Sequence, residues 1–371
     1  MSVKQLVRSA AVWLGVLLLT GGLLEGGARL AARAGWLVVS LPPGADYWWS
    51  GHPELGMWRY PNARWEHLTP CFQVTYETNS VGARDVERPE RADGSRVVVL
   101  GDSFLEGWGV PLEARLSSRL EAATGVPHLN FAMAHFSPYQ ELLAYRVLAG
   151  RYDHDAVLVG LLPANDFLDA DLDLAATIAD SYLYRPYLVG EPPDYTHWDH
   201  REPALRALLR RNSFAANAAL AAQSRWTASR LNADGPVLEA PPGKTPSWFY
   251  DFRESHAARL AAVLRRLAEE AEGRPVAVLL LPIAYDLDRY ASSGPAPLAD
   301  RLRASLEGTS VRIVDLLPAM ARSGTPAQDF FLSCDYHWSV VGNAVAARLA
   351  RRALTGALYR EAPAAASKPT P

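Results

Sequence analysis

VVVLGDSFLEGWGV, residues 97–110, runs four apolar β-formers directly into Gly-Asp-Ser. A buried strand that ends this way stops in a tight turn and lifts one hydroxyl, that of Ser103, clear of the sheet. Further strand-like runs lie at His128–Phe131, Ala156–Leu161, Val276–Leu281 and Val311–Val314. Helical spacing separates them at Pro111–Thr124, Tyr139–Ala149, Ser255–Glu272 and Pro297–Leu306, with a last helix at Val340–Leu354. Repeated βα units predict an α/β fold, a parallel sheet covered by helices on both faces, with sites gathered at the carboxyl ends of the strands. Ser103, the turn at Asn130, Asn165 and Pro282 all follow strands.

A serine alcohol is a weak nucleophile at neutral pH and needs a base to take its proton and donors to hold the resulting oxyanion. The sequence offers the base in CDYHWSVVG, residues 334–342, where His337 precedes an apolar, Ala-rich helix and Asp335 stands two residues before it. Asn130, in HLNFAMAHFSPYQ, and Asn165, in LLPANDFLD, each come just past a strand.

With these residues together, the chain resembles the SGNH (GDSL-type) hydrolase family over roughly Arg96–Leu354. Ser103 matches the first block, Asn130–Gln140 the second, Asn165 the third and His337 the last. The resemblance implies a three-layer α/β/α sandwich with a five-stranded sheet of flavodoxin-like order 2-1-3-4-5. It also implies a nucleophile Ser103, a base His337 and an orienting acid Asp335. The oxyanion hole would comprise the Ser103 N–H, the His135 N–H and the Asn165 amide, with Asp102, Asn130 and Asp166 in support. Two departures bear on this. The family mostly places the acid three residues before the histidine, where Cys334 stands here, and glycine is usual at the position of His135. If Asp335 points away, a Ser-His dyad remains. The His135 N–H can serve provided its backbone avoids the positive φ that glycine tolerates. Its side chain would narrow the acyl pocket to a group the size of acetyl. The chemistry calls for no cofactor and no metal.

The near-neutral balance, net −3 over 371 residues, gives no electrostatic reason to expect nucleic acid as a partner. Two cysteines, Cys71 and Cys334, exclude a disulfide scaffold; a single bond between them in an oxidising compartment and two buried thiols both stay open. Lys4 and Arg8 precede an apolar run, Ser9–Leu24, which reads as a signal peptide or signal anchor, the anchor being preferred because Ala32-Arg33-Ala34 lies too far beyond the run for ordinary cleavage. By the positive-inside rule the N-terminus is cytoplasmic, which would place the rest in the periplasm or outside the cell, tethered to the inner membrane by one pass. Trp36, Trp48 and Trp49 are interface candidates or ordinary packing residues.

The expected organisation is a signal anchor at 1–36, an extension with a hairpin at 37–94, the hydrolase domain at 95–358 with an insertion at 168–250, and a disordered tail at 359–371. The segment NSVGARD, 79–85, is either part of an edge hairpin capping the sheet or a lip held by Arg84; the insertion either shapes the pocket or packs as a helical hairpin. Asp169, Asp171 and Asp173 imitate a calcium loop, but Leu174 stands where glycine is needed; His197, Asp199 and His200 lack further ligands. The leading functional expectation is a serine esterase of small O-acyl groups on envelope glycans. O-acyl transfer to a polysaccharide hydroxyl and a non-catalytic glycan-binding or scaffold role are the alternatives. Oligomeric state is not legible.

Overall fold

The computed structural model describes residues 2–37, 49–177, 184–190, 194–231 and 240–359. Trp48 and the tail beyond Tyr359 lie outside them. The described chain forms two compact units.

One unit begins with helix α1, Val3–Arg33, long and apolar enough to cross a membrane and with none of its side chains buried. The other opens with two antiparallel pairs, β1 (Trp49–His52) with β2 (Gly56–Arg59), and β3 (Arg64–Leu68) with β4 (Gln73–Glu77). The βα core follows. Its first part comprises β5 (Val97–Leu100), α2 (Ser103–Glu106), α3 (Leu116–Thr124), β6 (His128–Asn130), α4 (Pro138–Val147) and β7 (Ala156–Leu161). Two short helices, α5 (Pro163–Asp169) and α6 (Leu172–Ala175), lead to a hairpin of β8 (Pro186–Val189) and β9 (Thr196–Asp199). Helices α7 (Ala204–Asn212) and α8 (Phe214–Leu231) belong to the unit of α1. The core resumes with α9 (Glu254–Glu270), β10 (Val276–Leu280), α10 (Ala284–Ser293), α11 (Leu298–Ser305), β11 (Val311–Asp315), α12 (Leu317–Ala321) and α13 (Val340–Leu354).

The five core strands form one parallel sheet in the order β6-β5-β7-β10-β11, which is 2-1-3-4-5 in order of appearance. Every residue of β5, β7 and β10 is buried, the burial pattern of a sheet covered on both faces. Helix ends carry their own stop and start signals. Ser137 and Gln140 form a capping box at α4, and Ser339 accepts from the N–H groups of Val341 and Gly342 at α13. Gly160 in β7 is required by packing, since a Cβ there would come within 1.8 Å of a Leu105 methyl under the nucleophile turn.

Three local readings change. The β3–β4 hairpin is a separate two-stranded sheet and not an edge of the main one. Arg84 is an internal tie: its guanidinium is buried, lies 3.7 Å over the Tyr76 ring, and donates to the carbonyls of Glu106, Gly107 and Val110. It therefore satisfies the carbonyls at the exit of α2, the last groups a short helix leaves unpaired. The insertion is neither alternative alone, because β8–β9 packs with the core unit whereas α7 and α8 join α1.

Candidate active site

Gly101 follows β5, and Asp102 caps α2 by accepting the Phe104 N–H at 2.9 Å, so Ser103 is set at the first position of a helical turn above the sheet. From the other end of the chain, the loop before α13 brings His337 to it. His337 Nε2 lies 2.7 Å from Ser103 Oγ, and His337 Nδ1 lies 2.6 Å from Asp335 Oδ1. The two-residue spacing thus suffices, because Asp335 folds back on its own loop and also accepts the His337 backbone N–H at 3.2 Å. With the Nδ1 proton directed at the carboxylate, Nε2 is left to accept the Ser103 hydroxyl proton.

Trp108, just past the end of α2, is a partner that sequence reading misses. Its indole N–H donates to Asp335 Oδ2 at 3.0 Å, and its ring stacks on His337 with centroids 5.2 Å apart. Phe104 and Tyr336 flank the same imidazole at 5.0 and 4.5 Å. Behind Trp108, the His67 ring of β3 meets its face edge-on at 4.4 Å. Burial pushes the Asp335 carboxyl up, but the hydrogen bonds from His337 and Trp108 outweigh it and hold the carboxyl below its ordinary value. Trp108→Phe keeps a six-membered aromatic ring but loses the indole N–H and with it one hydrogen bond to a charged group, a loss of about 1.5 kcal/mol or about tenfold in kcat/KM on a nitrophenyl acetate assay. Unchanged kcat/KM would mean that the indole bond does not position Asp335.

The expected oxyanion residues are also brought to this end of the sheet. The Asn165 amide nitrogen donates to Asp102 Oδ2 at 3.1 Å, leaving its second N–H, while its Oδ1 is buried without a partner. Burial pushes Asp102 up to about 6, against the opposing effect of its hydrogen bonds from Phe104 and Asn165. The condition placed on His135 is not met: its φ is +68°, inside the left-handed region. Histidine enters that region more readily than most residues, at a cost on the order of 1–3 kcal/mol. Neighbouring contacts hold the loop there: Arg185 donates to the His135 carbonyl at 2.8 Å, and Glu106 accepts the Ala134 N–H at 2.5 Å while pairing with Arg59 at 2.9 Å. Burial, helped by Arg185 and His337, pushes His135 down to about 3, so it is neutral at neutral pH and does not compete as a charged group.

The supporting residues have distinct tasks. Asn130 donates to the Leu105 carbonyl and the Ser117 hydroxyl, both at 2.8 Å, and accepts the Ala132 N–H, which fixes the second block beneath α2. Asp166 accepts the Leu162 N–H at 2.6 Å, and burial raises its pKa well above the ordinary carboxylate value. Cys71, in the β3–β4 turn, is disulfide-bonded to Cys334, next to Asp335. The weaker candidates are engaged elsewhere: Asp169 pairs with Arg185, Asp171 with Arg259, and His197 with the Tyr139 hydroxyl, while His200 packs on Trp198.

Residues 253–370 match the family model described as SGNH hydrolase-like domain, acetyltransferase AlgX. No curated protein matches the chain. Among solved structures, a lipolytic protein of the G-D-S-L family from Veillonella parvula is 12% identical, with 70% of this chain and 97% of that one covered and a TM-score of 0.38. A lipase from a goat rumen metagenome is 13% identical over 72% and 99%, TM-score 0.40. A lipase/acylhydrolase from Enterococcus faecalis is 16% identical over 72% and 100%, TM-score 0.37. Over residues 253–370, which include Asp335 and His337, the chain is thus similar to an SGNH hydrolase-like domain of the AlgX type.

Proposed function

We propose that the protein is an O-acetyltransferase that moves an acetyl group through an acyl-Ser103 intermediate to a polysaccharide hydroxyl. The observation that carries acyl chemistry is the continuous relay from Ser103 Oγ through His337 to Asp335, at 2.7 and 2.6 Å. In the first half-reaction His337 Nε2 takes the Ser103 proton as Oγ attacks the acetyl carbonyl, and returns it to the departing alcohol of the donor. In the second, it takes the proton of the acceptor hydroxyl as that oxygen attacks the acetyl carbonyl; the acetyl–Ser103 bond breaks and the proton passes from Nε2 to Oγ, restoring the Ser103 hydroxyl. The Ser103 N–H, the His135 N–H and the second Asn165 N–H would hold the oxyanion in both halves.

Two features favour a sugar over water as acceptor. The matched family model is described as an acetyltransferase, and its span includes Asp335 and His337. Tyr336, half exposed and stacked on His337, offers a ring face at the base on which a sugar can lie. His135 beside the acyl position favours acetyl over longer chains. The apolar α1 fits a signal anchor that would hold the enzyme at the inner membrane with its core in the periplasm.

The test supplies the full chain with nitrophenyl acetate or butyrate, with and without a neutral oligosaccharide, and follows products by mass spectrometry. Acetylated oligosaccharide and faster turnover of acetyl are expected. Free acetate alone, unchanged by acceptor, would assign an esterase; faster turnover of butyryl would remove the acetyl reading. A Ser103 that no fluorophosphonate labels would leave the scaffold reading.

A further inference from the structure

Helix α7 is short, amphipathic and exposed on its apolar side. Leu205, Leu208 and Leu209 stand at i, i+3 and i+4 and are 67%, 59% and 45% exposed, so one stripe of the helix presents leucine to its surroundings. Arg206 and Arg210 border that stripe on one side, where both reach Glu202, and Arg211 borders it on the other. An apolar stripe flanked by arginines is the pattern of a helix that lies in the plane of a membrane surface.

What fixes the partner is where α7 is tied. Its C-terminus turns at Ser213 into α8, and the start of α8 is capped by a side chain of α1. Glu25 accepts the Ser213 hydroxyl at 2.7 Å and the N–H groups of Phe214 and Ala215, both at 3.1 Å. Arg29 holds Glu25 at 2.7 Å and lies 5.3 Å over the Phe214 ring. Glu25 is also the first charged residue after the apolar run Ser9–Leu24, which at 1.5 Å per residue is about 24 Å long and, with the flanking apolar residues, spans most of a bilayer core about 30 Å thick. The residue that ends the membrane segment is therefore the residue that anchors the α7–α8 corner.

We propose that α7 lies in the outer membrane–water interface, with Leu205, Leu208 and Leu209 among the acyl chains and Arg211 at the lipid phosphates. This rests on the reading of α1 as a retained anchor. That reading gains a reason from the same contacts, since cleavage after α1 would remove the acceptor that caps α8.

The test uses the full chain in liposomes of phosphatidylethanolamine and phosphatidylglycerol. Both native cysteines are bonded to each other, so single cysteines introduced as Leu208→Cys, Ala207→Cys and Leu17→Cys can each carry an environment-sensitive fluorophore. Expected are blue-shifted emission at 208 and its loss to a quencher placed shallow in the lipid, little effect at 207, and loss at 17 to a deep quencher. A water-like label at 208 with a lipid-quenched label at 17 overturns the proposal and leaves the anchor standing. Water-like labels at both positions overturn the anchor and the proposal together. Blue-shifted emission at 208 that resists lipid quenchers and grows with protein density assigns the stripe to a second copy and also overturns it.

Discussion

Ser103→Ala is expected to lower turnover of nitrophenyl acetate by about 10⁴–10⁶ and to abolish fluorophosphonate labelling, while the melting temperature moves by only a few degrees. The separation of the two effects follows from the contacts of the hydroxyl. Ser103 is buried, and its Oγ is bonded to His337 Nε2, a group that belongs to the reaction; the turn itself is held by the Asp102 cap and by Arg84. Removing one oxygen leaves a small void and one imidazole nitrogen without its partner, a cost of about 1 kcal/mol. A variant that keeps half of its turnover would mean that Ser103 is a turn residue and that the acyl chemistry lies elsewhere.

Asp335→Asn should cost about 10³–10⁴ in kcat, through the wrong tautomer of His337 and not through loss of structure. Three donors converge on this carboxylate, the Trp108 indole on Oδ2 and the His337 backbone N–H and ring Nδ1–H on Oδ1. An asparagine has one oxygen to offer. If it faces Trp108, its NH₂ faces Nδ1, which then must accept; Nε2 carries the proton and no longer serves as base. If the oxygen faces His337, the NH₂ meets the indole N–H. Trp108→Phe removes that conflict, so the double variant is expected to be more active than Asp335→Asn alone, a non-additivity that a double-mutant cycle reads directly. Additive losses would mean that the indole does not set the orientation. Because hydrogen bonds hold the folded carboxyl below its ordinary value, its contribution to stability is present above the ordinary carboxylate range and is lost as pH falls through the lowered value; Asp335→Asn should flatten that acid limb.

The alternation of strands and helices is legible because each core strand is a continuous apolar run, and β7 and α13 begin and end where the runs do. Other helices differ by a few residues where a cap intervenes: the helix read from Pro111 starts at Leu116, after Arg115 in extended backbone. Helix α10 escapes sequence reading because Asp286 and Asp288 break its apolar run, and the residues it buries are Asp286, Leu287 and Arg289, two of them charged. The sheet order comes only with the family resemblance, since periodicity carries no neighbour information. In the site, Ser103 and His337 are marked by their local motifs. Trp108 as a partner of Asp335 is not, because the contact joins positions 227 residues apart and nothing near either residue encodes it. The same holds for Arg59 and Glu106, and for Arg185 on the carbonyl of His135. The left-handed backbone of His135 runs against expectation because propensity yields to a loop pinned on both sides.

The bond between Cys71 and Cys334 closes a loop of 263 residues and ends beside the acid of the relay. A polypeptide made where glutathione keeps thiols reduced has its base and acid on a loop without this covalent tie. If the chain is exported as proposed, oxidation on the far side of the membrane would stitch the loop of Asp335 and His337 to the β3–β4 hairpin, so that arming and arrival would coincide.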